Sequence, residues 1–285
     1  MSSFPVNGTG LGLRRGMFAQ LRKHESQVIE SVDFLEVAPE NWINVGGRYG
    51  NRFRHYAERF PMVCHGLSLS IGSPDPLDLD LLRQIRKFLD QFEVKCYSDH
   101  LSACSEQGHL YNLMPIPFTE DAVNHVSNRI RIVQEVLDRR ISIEHVSYYA
   151  APGQELSESQ FVNAVLTESD CDLLLDVNNA YVNSINFSYD PKEFIDSLPI
   201  DRVSYIHIAG HYVEAEDLRI DTHAASVIEP VWELLDYTYS KYGAIPTLLE
   251  RDFNFPPLPK LLAEIDRIRE MQQNYHHQHE ALVSV

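Results

Sequence analysis

Ile141-Ser142-Ile143-Glu144-His145 is a short apolar run that ends on residues able to bind a metal ion. Six further runs along the chain share this form, an apolar stretch that leads into histidine, aspartate or glutamate. They are Met62-Val63-Cys64-His65, residues 94–100, Leu173-Leu174-Leu175-Asp176, residues 203–207, Arg219-Ile220-Asp221-Thr222-His223 and Thr247-Leu248-Leu249-Glu250. The repetition predicts polar groups that converge at one end of a parallel barrel, where such barrels carry their chemistry.

Strand-like runs alternate with helical patterns along the whole chain. The predicted strands are residues 9–14, 33–37, 62–66, 94–98, 141–145, 173–176, 203–208 and 247–250. The predicted helices are residues 17–30, 50–60, 78–92, 119–137, 157–167, 191–198, 226–242 and 258–271. Strands that alternate with helices imply parallel pairing through crossovers. Eight such units in 285 residues fit a closed (β/α)8 barrel of the α/β class. An open doubly wound sheet is the alternative, but it would not aim all eight strand ends at one point.

No linker rich in proline, glycine or serine divides the chain. We therefore expect one domain over residues 1–273, followed by a polar and frayed tail over residues 274–285.

Composition restricts the partners and the location that we expect. The formal charge is 24 − 41 = −17, which argues against a nucleic-acid partner, because such proteins need a basic surface. No stretch approaches 18 apolar residues, and the first residues lack a basic and apolar signal pattern, so we expect neither a membrane span nor a signal peptide. The four cysteines include no CxxC pair. A cytoplasmic location is the default expectation.

The strand ends supply four histidines and four carboxylates as candidate metal ligands. They are His65, His100, Glu144, Asp176, His207, Asp221, His223 and Glu250, with the amides just after Asp176 as a possible addition. A lone histidine at a strand end is more often a hydrogen-bonded core residue. Several carboxylates at one mouth repel each other unless cations neutralise them, and eight ligands are too many for one ion. Imidazole with carboxylate suits iron, manganese or zinc. We expect two or three ions, with Glu144 as the bridge.

Residues beside these ligands are candidates for supporting and catalytic roles. Asp99 precedes His100 and His145 follows Glu144, and metal-bound histidines usually give their second N–H to such a partner. His211 lies one short turn beyond His207 and is the candidate acid or base for the substrate. Asp99 and His211 are the predicted catalytic residues.

Eight segments of the chain together resemble one bacterial family, the multinuclear non-haem iron-dependent oxidases, whose best-known type is the methanobactin biosynthesis oxidase. The segments are Pro39-Glu40-Asn41-Trp42, His65 to Gly72, Ser98-Asp99-His100-Leu101-Ser102, Glu144-His145-Val146-Ser147, Leu175 to Asn179, His207 to His211, Asp221-Thr222-His223 and Leu249-Glu250-Arg251-Asp252. The resemblance covers residues 10–252, and the combined motifs are specific.

The resemblance implies a xylose isomerase-like barrel that holds two or three iron ions. It places the ligands on His65, His100, Glu144, Asp176, Asn179, His207, Asp221, His223 and Glu250. It also implies oxidation of a ribosomally made precursor peptide by O2, often at cysteine, with a small partner protein that presents the peptide leader. His145 departs from the asparagine that the family pattern places after the glutamate, which puts a supporting contact in doubt.

Three other function classes are compatible with a metal-binding barrel. A sugar isomerase or epimerase would use manganese, cobalt or magnesium, but none of the strand-end runs ends in lysine, which such enzymes commonly pair with the metals. A metal-cluster endonuclease specific for abasic sites would need a basic groove, which the charge of −17 disfavours. The third of these classes is a metal-binding partner protein without catalysis.

Overall fold

Eight parallel strands close into a barrel in the computed structural model, which describes residues 4–106 and 108–283. The barrel strands are β1 (Thr9–Gly12), β2 (Phe34–Val37), β3 (Met62–His65), β4 (Tyr97–His100), β7 (Ser142–Glu144), β8 (Asp172–Asp176), β9 (Val203–Ile208) and β12 (Thr247–Leu249). They pair in this order, and β12 closes the ring on β1. The predicted (β/α)8 barrel is therefore confirmed.

Ten helices surround the barrel within the described residues. They are α1 (Phe18–Lys23), α2 (Glu25–Ser31), α3 (Gly47–Ala57), α4 (Leu79–Gln91), α5 (Glu120–Leu137), α6 (Glu158–Ser169), α7 (Val177–Phe187), α8 (Pro191–Asp196), α9 (Glu229–Tyr242) and α10 (Leu258–Val283). Three short 3₁₀ helices cover Arg15–Met17, Pro39–Asn41 and Ile200–Arg202. Side-chain caps begin several helices; Ser157 and Gln160, for example, form a reciprocal capping box at α6.

Some predicted element boundaries were wrong. The helix predicted over residues 17–30 is broken at His24, whose backbone leaves the helical region. Strand β4 begins at Tyr97 rather than at residue 94, so His100 lies inside the strand instead of after it. Helix α10 runs twelve residues past the predicted end at residue 271. Residues 284–285, the end of the predicted tail, lie outside the described residues, and the single-domain assignment stays a prediction.

Two antiparallel hairpins and one helix were not predicted. Hairpin β5–β6 (Ala103–Ser105 and His109–Met114) follows β4, and hairpin β10–β11 (Tyr212–Ala215 and Leu218–Ile220) follows β9. The run that begins at Arg219 therefore belongs to a hairpin and not to the barrel. Helix α7 starts directly after Asp176, without a loop.

Side-chain alternation along the strands creates two separate cores. Successive residues of a strand point to opposite faces, so outward positions pack against the helices in one large apolar layer. A second, smaller cluster fills the lower barrel interior, and we call it the apolar plug. It consists of Val6, Phe34, Val63, Leu174, Tyr205 and Leu248. The plug closes the end of the barrel opposite the predicted metal site. None of the described helices combines the length and apolarity that a membrane crossing requires.

Candidate metal centre

The inward positions directly above the apolar plug are polar on every strand that contributes to the plug. Two residues beyond each plug residue of β2, β3, β8, β9 and β12, the same strand face carries Glu36, His65, Asp176, His207 and Glu250. All five are buried. Strand alternation thus brings four predicted ligands, and Glu36 in addition, into one enclosed layer at the C-terminal end of the barrel.

The first group of possible ligands consists of His65, His100 and Glu144. His65 Nε2 lies 3.0 Å from His100 Nε2 and 3.0 Å from Glu144 Oε2. His100 Nε2 lies 3.4 Å from the same carboxylate oxygen. Two ligand atoms that each lie about 2.1 Å from one ion, at right angles, are about 3.0 Å apart. These spacings therefore match neighbouring ligand positions around one metal.

Hydrogen bonds behind both histidines determine which ring nitrogen faces this group. His100 Nδ1 lies 3.1 Å from the carbonyl oxygen of Gly66. Because a carbonyl only accepts, Nδ1 carries the proton and Nε2 keeps its lone pair. His65 Nδ1 lies 2.8 Å from Ser98 Oγ, which also bonds the carbonyl of Cys64. Both rings thus present Nε2 to Glu144, as metal-bound histidines do.

His207 faces two predicted ligands with its other nitrogen. Its Nδ1 lies 3.1 Å from Glu250 Oε2 and 3.7 Å from Glu144 Oε1. Its Nε2 lies 2.8 Å from Glu36 Oε2, which also accepts a 2.7 Å hydrogen bond from the Tyr205 hydroxyl. Glu36 therefore fixes the Nε2 proton, and Nδ1 faces the space between the two carboxylates. Burial would lower the pKa of His207, but Glu36 and Glu250 raise it well above its ordinary value, so an ion at Nδ1 would replace a proton.

A second group consists of Glu144, Asp176 and His207, and a third group combines Asp176, His223 and Glu250. Glu250 Oε1 accepts a 3.1 Å hydrogen bond from Arg14, and Oε2 lies 3.1 Å from His207 Nδ1 and 3.4 Å from His223 Nδ1. His223 adopts a left-handed backbone (φ 47°), which is strained for a histidine and typical of functional sites. Its Nε2 lies 2.8 Å from Asp221 Oδ1.

Asp252 supports the third group from outside. It accepts a 2.7 Å hydrogen bond from Arg14 and lies 3.2 Å from His223 Nδ1. Arg14 and Asp252 were not predicted to belong to the site, because these two residues meet only after the barrel closes between β1 and β12.

Helix α7 supplies the amide that the family resemblance pointed to. Asp176 is both the last residue of β8 and the cap of α7, where Oδ1 accepts from the backbone N–H groups of Asn178 (2.6 Å) and Asn179 (2.8 Å). The Asn179 side-chain N–H₂ donates to Glu144 Oε1 and to the His145 carbonyl, each at 3.2 Å. Asn179 Oδ1 and Asp176 Oδ2 are the side-chain oxygens that these hydrogen bonds leave unpaired.

Five buried ligand atoms in this layer have no hydrogen bond of regular geometry among the described residues, although His207 Nδ1 lies 3.1 Å from Glu250 Oε2 and His223 Nε2 lies 2.8 Å from Asp221 Oδ1. They are Asp176 Oδ2, Asn179 Oδ1, His207 Nδ1, His223 Nε2 and Glu250 Oε2. Each belongs to a predicted ligand and can offer a lone pair. Burial of an unpaired polar atom is costly, so such atoms are rare unless an ion or water completes them. The donor set of imidazole, carboxylate and amide oxygen fits Fe, Mn or Zn ions.

Charge coupling in the cluster is strong. Burial alone would raise the pKa of Glu144, but His65 and His207 hold it well below its ordinary value. Burial and the nearby charge of Glu144 raise the pKa of Asp176 well above normal. Burial would lower the pKa of His65, yet Glu144 raises it to about 9. Burial and His65 together lower the pKa of His100 to about 4. A bound cation would supply the positive charge that protons on these histidines and carboxylates supply here.

The expected contact between the Asp99 carboxylate and the His100 imidazole is wrong. The two groups lie 3.9 Å apart, because neighbouring residues of β4 point to opposite faces. Asp99 instead accepts from the His100 backbone N–H (2.8 Å) and from the Tyr97 hydroxyl (3.0 Å). Burial and the nearby Glu40 raise the pKa of Asp99 to about 7. The catalytic role of Asp99 stays a prediction.

His145 also points away from the interior, as the alternation of β7 requires. Both of its ring nitrogens are buried without a hydrogen-bond partner, and Nδ1 lies 3.8 Å from Glu158. A cavity of about 20 Å³ adjoins the two residues. The expected support of the ligands by the His145 side chain is therefore wrong; only its carbonyl oxygen serves the site, through Asn179.

His211 stands beside the ligands with a defined tautomer. Asn178 donates a 2.9 Å hydrogen bond to Asp221 Oδ1, so the amide nitrogen of Asn178 faces that carboxylate and Asn178 Oδ1 faces His211. Since Oδ1 only accepts, the 2.7 Å contact makes His211 Nδ1 the protonated nitrogen. His211 Nε2 is buried without a partner, and burial lowers the pKa of the ring to about 4. The imidazole is neutral and offers one free lone pair.

The comparisons with known proteins were consistent with this geometry. The family described as RiPP precursor modification enzyme MbnB/TglH/ChrH matches residues 8–273. A UPF0276 protein of Alcanivorax borkumensis is 56% identical over 278 residues, covering 95% of this chain and 93% of the relative. A UPF0276 protein of Pseudomonas aeruginosa is 53% identical and covers 94% of this chain and 93% of the relative.

Solved structures that resemble the chain share its fold. A xylose isomerase domain protein from Planctomyces limnophilus superposes with a TM-score of 0.62 at 12% identity, covering 97% of this chain and 100% of that one. Endonuclease IV from Thermus thermophilus gives a TM-score of 0.59 at 15% identity, covering 94% and 99%. The predicted xylose isomerase-like barrel is confirmed.

Proposed function

The chain belongs to the family of RiPP precursor modification enzymes MbnB/TglH/ChrH, and from this premise we propose that it is a multinuclear non-haem iron-dependent oxidase. It uses O2 to modify a ribosomally made precursor peptide, often at cysteine. A small partner protein presents the leader of that peptide. The cytoplasm stays the predicted location.

The observation that carries the metal assignment is the set of five buried atoms without hydrogen bonds. They lie on residues from four different segments of the chain, yet they face one layer of the barrel. Other buried atoms of the described residues, such as Ser127 Oγ and Arg129 Nε, also lack a hydrogen bond. The five are distinguished because they lie on predicted ligands that face one another, where buried polar groups are normally paired.

Two or three ions fit the ligand groups. His65, His100 and Glu144 would hold one ion through the three atoms that lie 3.0 to 3.4 Å apart. Glu144 also belongs to the group with Asp176 and His207, which makes it the natural bridge to a second ion. A third ion would take Asp176 and Glu250 with His223, Asp221 and Asn179. Manganese or zinc could occupy the same ligands, since nitrogen and oxygen donors do not discriminate strongly.

Bound iron would supply the redox chemistry for reaction with O2, and the protein contributes orientation, proton handling and exclusion of water. His211 would accept a proton from the substrate at Nε2, since Nδ1 already donates to Asn178. The apolar plug keeps the ligand layer dry from below, which strengthens every charge interaction within it.

The surface around the mouth supports a peptide substrate. Eight of the twelve large apolar side chains that are exposed among the described residues lie in segments that follow the C-terminal ends of barrel strands. They are Leu67, Leu110, Leu113, Met114, Tyr149, Tyr212, Val213 and Phe253. Exposed apolar residues gathered around one opening mark an interaction site rather than ordinary surface. A small sugar would not need so wide an apolar rim.

The test is anaerobic reconstitution with Fe(II), followed by O2, the candidate partner and synthetic peptides that cover short reading frames beside the gene. We expect two or three bound irons per chain by elemental analysis and a mass change in one peptide. Asp176→Asn is the test variant, because an amide keeps the Oδ1 cap of α7 and changes only the Oδ2 position. This variant should fold normally, lose metal and lose turnover. Full iron content and turnover in this variant would contradict the assignment.

The alternative functions share the barrel and differ in metal and substrate. Zinc or manganese alone, with no uptake of iron, would favour a hydrolase, isomerase or epimerase on the same ligands. Activity on an aldose with manganese, and no mass change in any peptide, would replace the proposed oxidase.

A further inference from the structure

Hairpin β10–β11 connects two parts of the candidate centre. His211 directly precedes β10, and Asp221 directly follows β11. Tyr212 and Val213 on β10 are large apolar residues with 56% and 53% of their surface exposed. The proposed function uses this hairpin only through the exposed side chains of Tyr212 and Val213, although its ends are fixed at the ligands.

The outer edge of β11 is already occupied. The Asn186 side chain of α7 accepts from the Arg219 backbone N–H (2.8 Å) and donates to the Arg219 carbonyl (3.0 Å). Two residues after Arg219, the Tyr149 hydroxyl accepts from the Asp221 N–H at 3.0 Å. Side chains thus take the place of a neighbouring strand along β11.

This capping reveals the direction of the hydrogen-bonding groups on β10. Arg219 pairs with Val213 in the antiparallel register. Since Arg219 turns both of its backbone groups away from β10, this is a non-hydrogen-bonded pair, and Val213 turns its own N–H and C=O to the opposite, outer edge. Within the part of the chain that the structure describes, no other group occupies that edge at Val213. The hairpin is therefore open on one side only.

We propose that the open edge of β10 binds an extended segment of the substrate peptide through the backbone N–H and C=O of Val213. This inference rests on the proposed peptide substrate. Strand addition of this kind takes its affinity from main-chain hydrogen bonds and its selectivity from flanking side chains, here Tyr212 and Val213. Val213 lies two residues from His211, about 7 Å along a strand, so the paired peptide passes beside the candidate proton acceptor.

A peptide fits this edge better than a second copy of the chain does. The ladder is short, because the bulge between Val213 and Ala215 interrupts it after one outward-facing residue. A single residue pair suits a substrate that must leave after turnover. Two copies of a chain with charge −17 repel each other, and an edge-to-edge dimer would also bring their Glu214 side chains together.

The test compares Val213→Pro with Val213→Thr in the full, metal-loaded chain. Proline removes the outward N–H without touching the hairpin bonds, and edge strands tolerate it at such positions. Threonine keeps the N–H and a β-branched shape. The probes are the fluorescein-labelled synthetic peptides from the reading frames beside the gene, measured by fluorescence anisotropy. We expect Val213→Pro to bind the peptide about tenfold more weakly than Val213→Thr does, as for loss of one hydrogen bond with its partner left unpaired.

Hydrogen exchange provides a measurement that needs no variant. Addition of a bound peptide should slow exchange in the segment that contains Val213. Equal peptide affinity in all three proteins, or unchanged exchange at β10, overturns the inference and leaves the proposed function intact. A wild-type dimer that Val213→Pro dissociates, with peptide affinity unchanged, overturns it in favour of self-association. A wild-type chain that neither binds nor modifies any peptide overturns both proposals.

Discussion

Substitution of Glu36 by glutamine should weaken metal binding, because Glu36 holds His207 in the ligand layer and could itself join His207 and Glu250 around an ion. Its Oε2 accepts both the Tyr205 hydroxyl (2.7 Å) and His207 Nε2 (2.8 Å), while Oε1 has no partner. Burial would raise the pKa of Glu36, but His207 holds it below its ordinary value, so the carboxylate is charged. Glutamine can keep an acceptor at the Oε2 position and loses only the charge.

The size of the effect follows from these two hydrogen bonds. A hydrogen bond to a charged group contributes about 1 kcal/mol more than a neutral one, so two of them correspond to a loss of about 2 kcal/mol in the free energy of unfolding. The loss of the charged acceptor also makes His207 Nδ1 a weaker ligand. Substitution of such outer partners lowers metal affinity by about 10- to 100-fold.

The assay is competition between the protein and a chelator for Mn(II) or Fe(II), together with urea unfolding of the metal-free chain. Glu158→Gln is the matched control, since Glu158 is a buried carboxylate that accepts from Tyr148 and Tyr189 but lies outside the ligand groups. It should lose stability and keep its metal affinity. If Glu36→Gln binds metal as tightly as the wild type, or if Glu158→Gln loses metal equally, the reasoning about His207 fails.

Four further results are expected. His100→Asn should lose the metal of the first group and keep the remainder, as measured by elemental analysis. Removal of all metal by a chelator should lower the unfolding free energy by about 2.7 kcal/mol for each independently bound ion, relative to protein with free metal at about 100 times its dissociation constant, as measured by urea unfolding. Gly210→Ala should destabilise by about 3 kcal/mol in the same assay, because the new Cβ would lie 2.1 Å from the Ala225 carbonyl oxygen. Tyr148→Phe should lower the unfolding free energy by about 1 to 3 kcal/mol, because buried Glu158 loses one of its donors.

Each of these results has a contrary outcome. Loss of every ion from His100→Asn would mean that the groups do not fill separately. An unfolding curve that ignores the chelator would argue that no ion completes the five unpaired atoms. Gly108→Ala is the control for Gly210→Ala, because an added Cβ there meets nothing within 4 Å; equal effects would discount the clash. An unchanged midpoint for Tyr148→Phe would mean that water replaces the hydroxyl.

The barrel could be predicted from the sequence because the pattern of apolar residues that specifies strands and helices is periodic and local. Apolar runs of strand length alternate with helical patterns, and a polar residue at the end of each run marks the face where the strands meet. The same alternation explains what was missed. Glu36 lies in phase with Phe34, two residues below, and therefore points inward, whereas Asp99 is out of phase with His100. A stricter use of the two-residue period would have found the first and rejected the second.

Other features depended on contacts between distant segments. The tautomer of His211 follows from Asn178, whose orientation in turn follows from Asp221, and the spacing of these three residues in sequence gives no sign of the contact. The capping of β11 by Asn186 likewise requires α7, for which no helix was predicted from the sequence. Such pairings become visible only when the elements are assembled.

The apolar plug has a consequence for the order of events during turnover. Phe34, Tyr205 and their neighbours fill the lower end of the barrel within the described residues, so the proposed ions, O2, peptide and product would all share the entrance at the mouth. A peptide that covers this entrance delays the exit of whatever entered before it. Metal loading must then precede peptide arrival, and the exchange of ions with solvent should slow while substrate is bound. A peptide bound at this entrance would therefore retain the metal ions as well as being the proposed substrate.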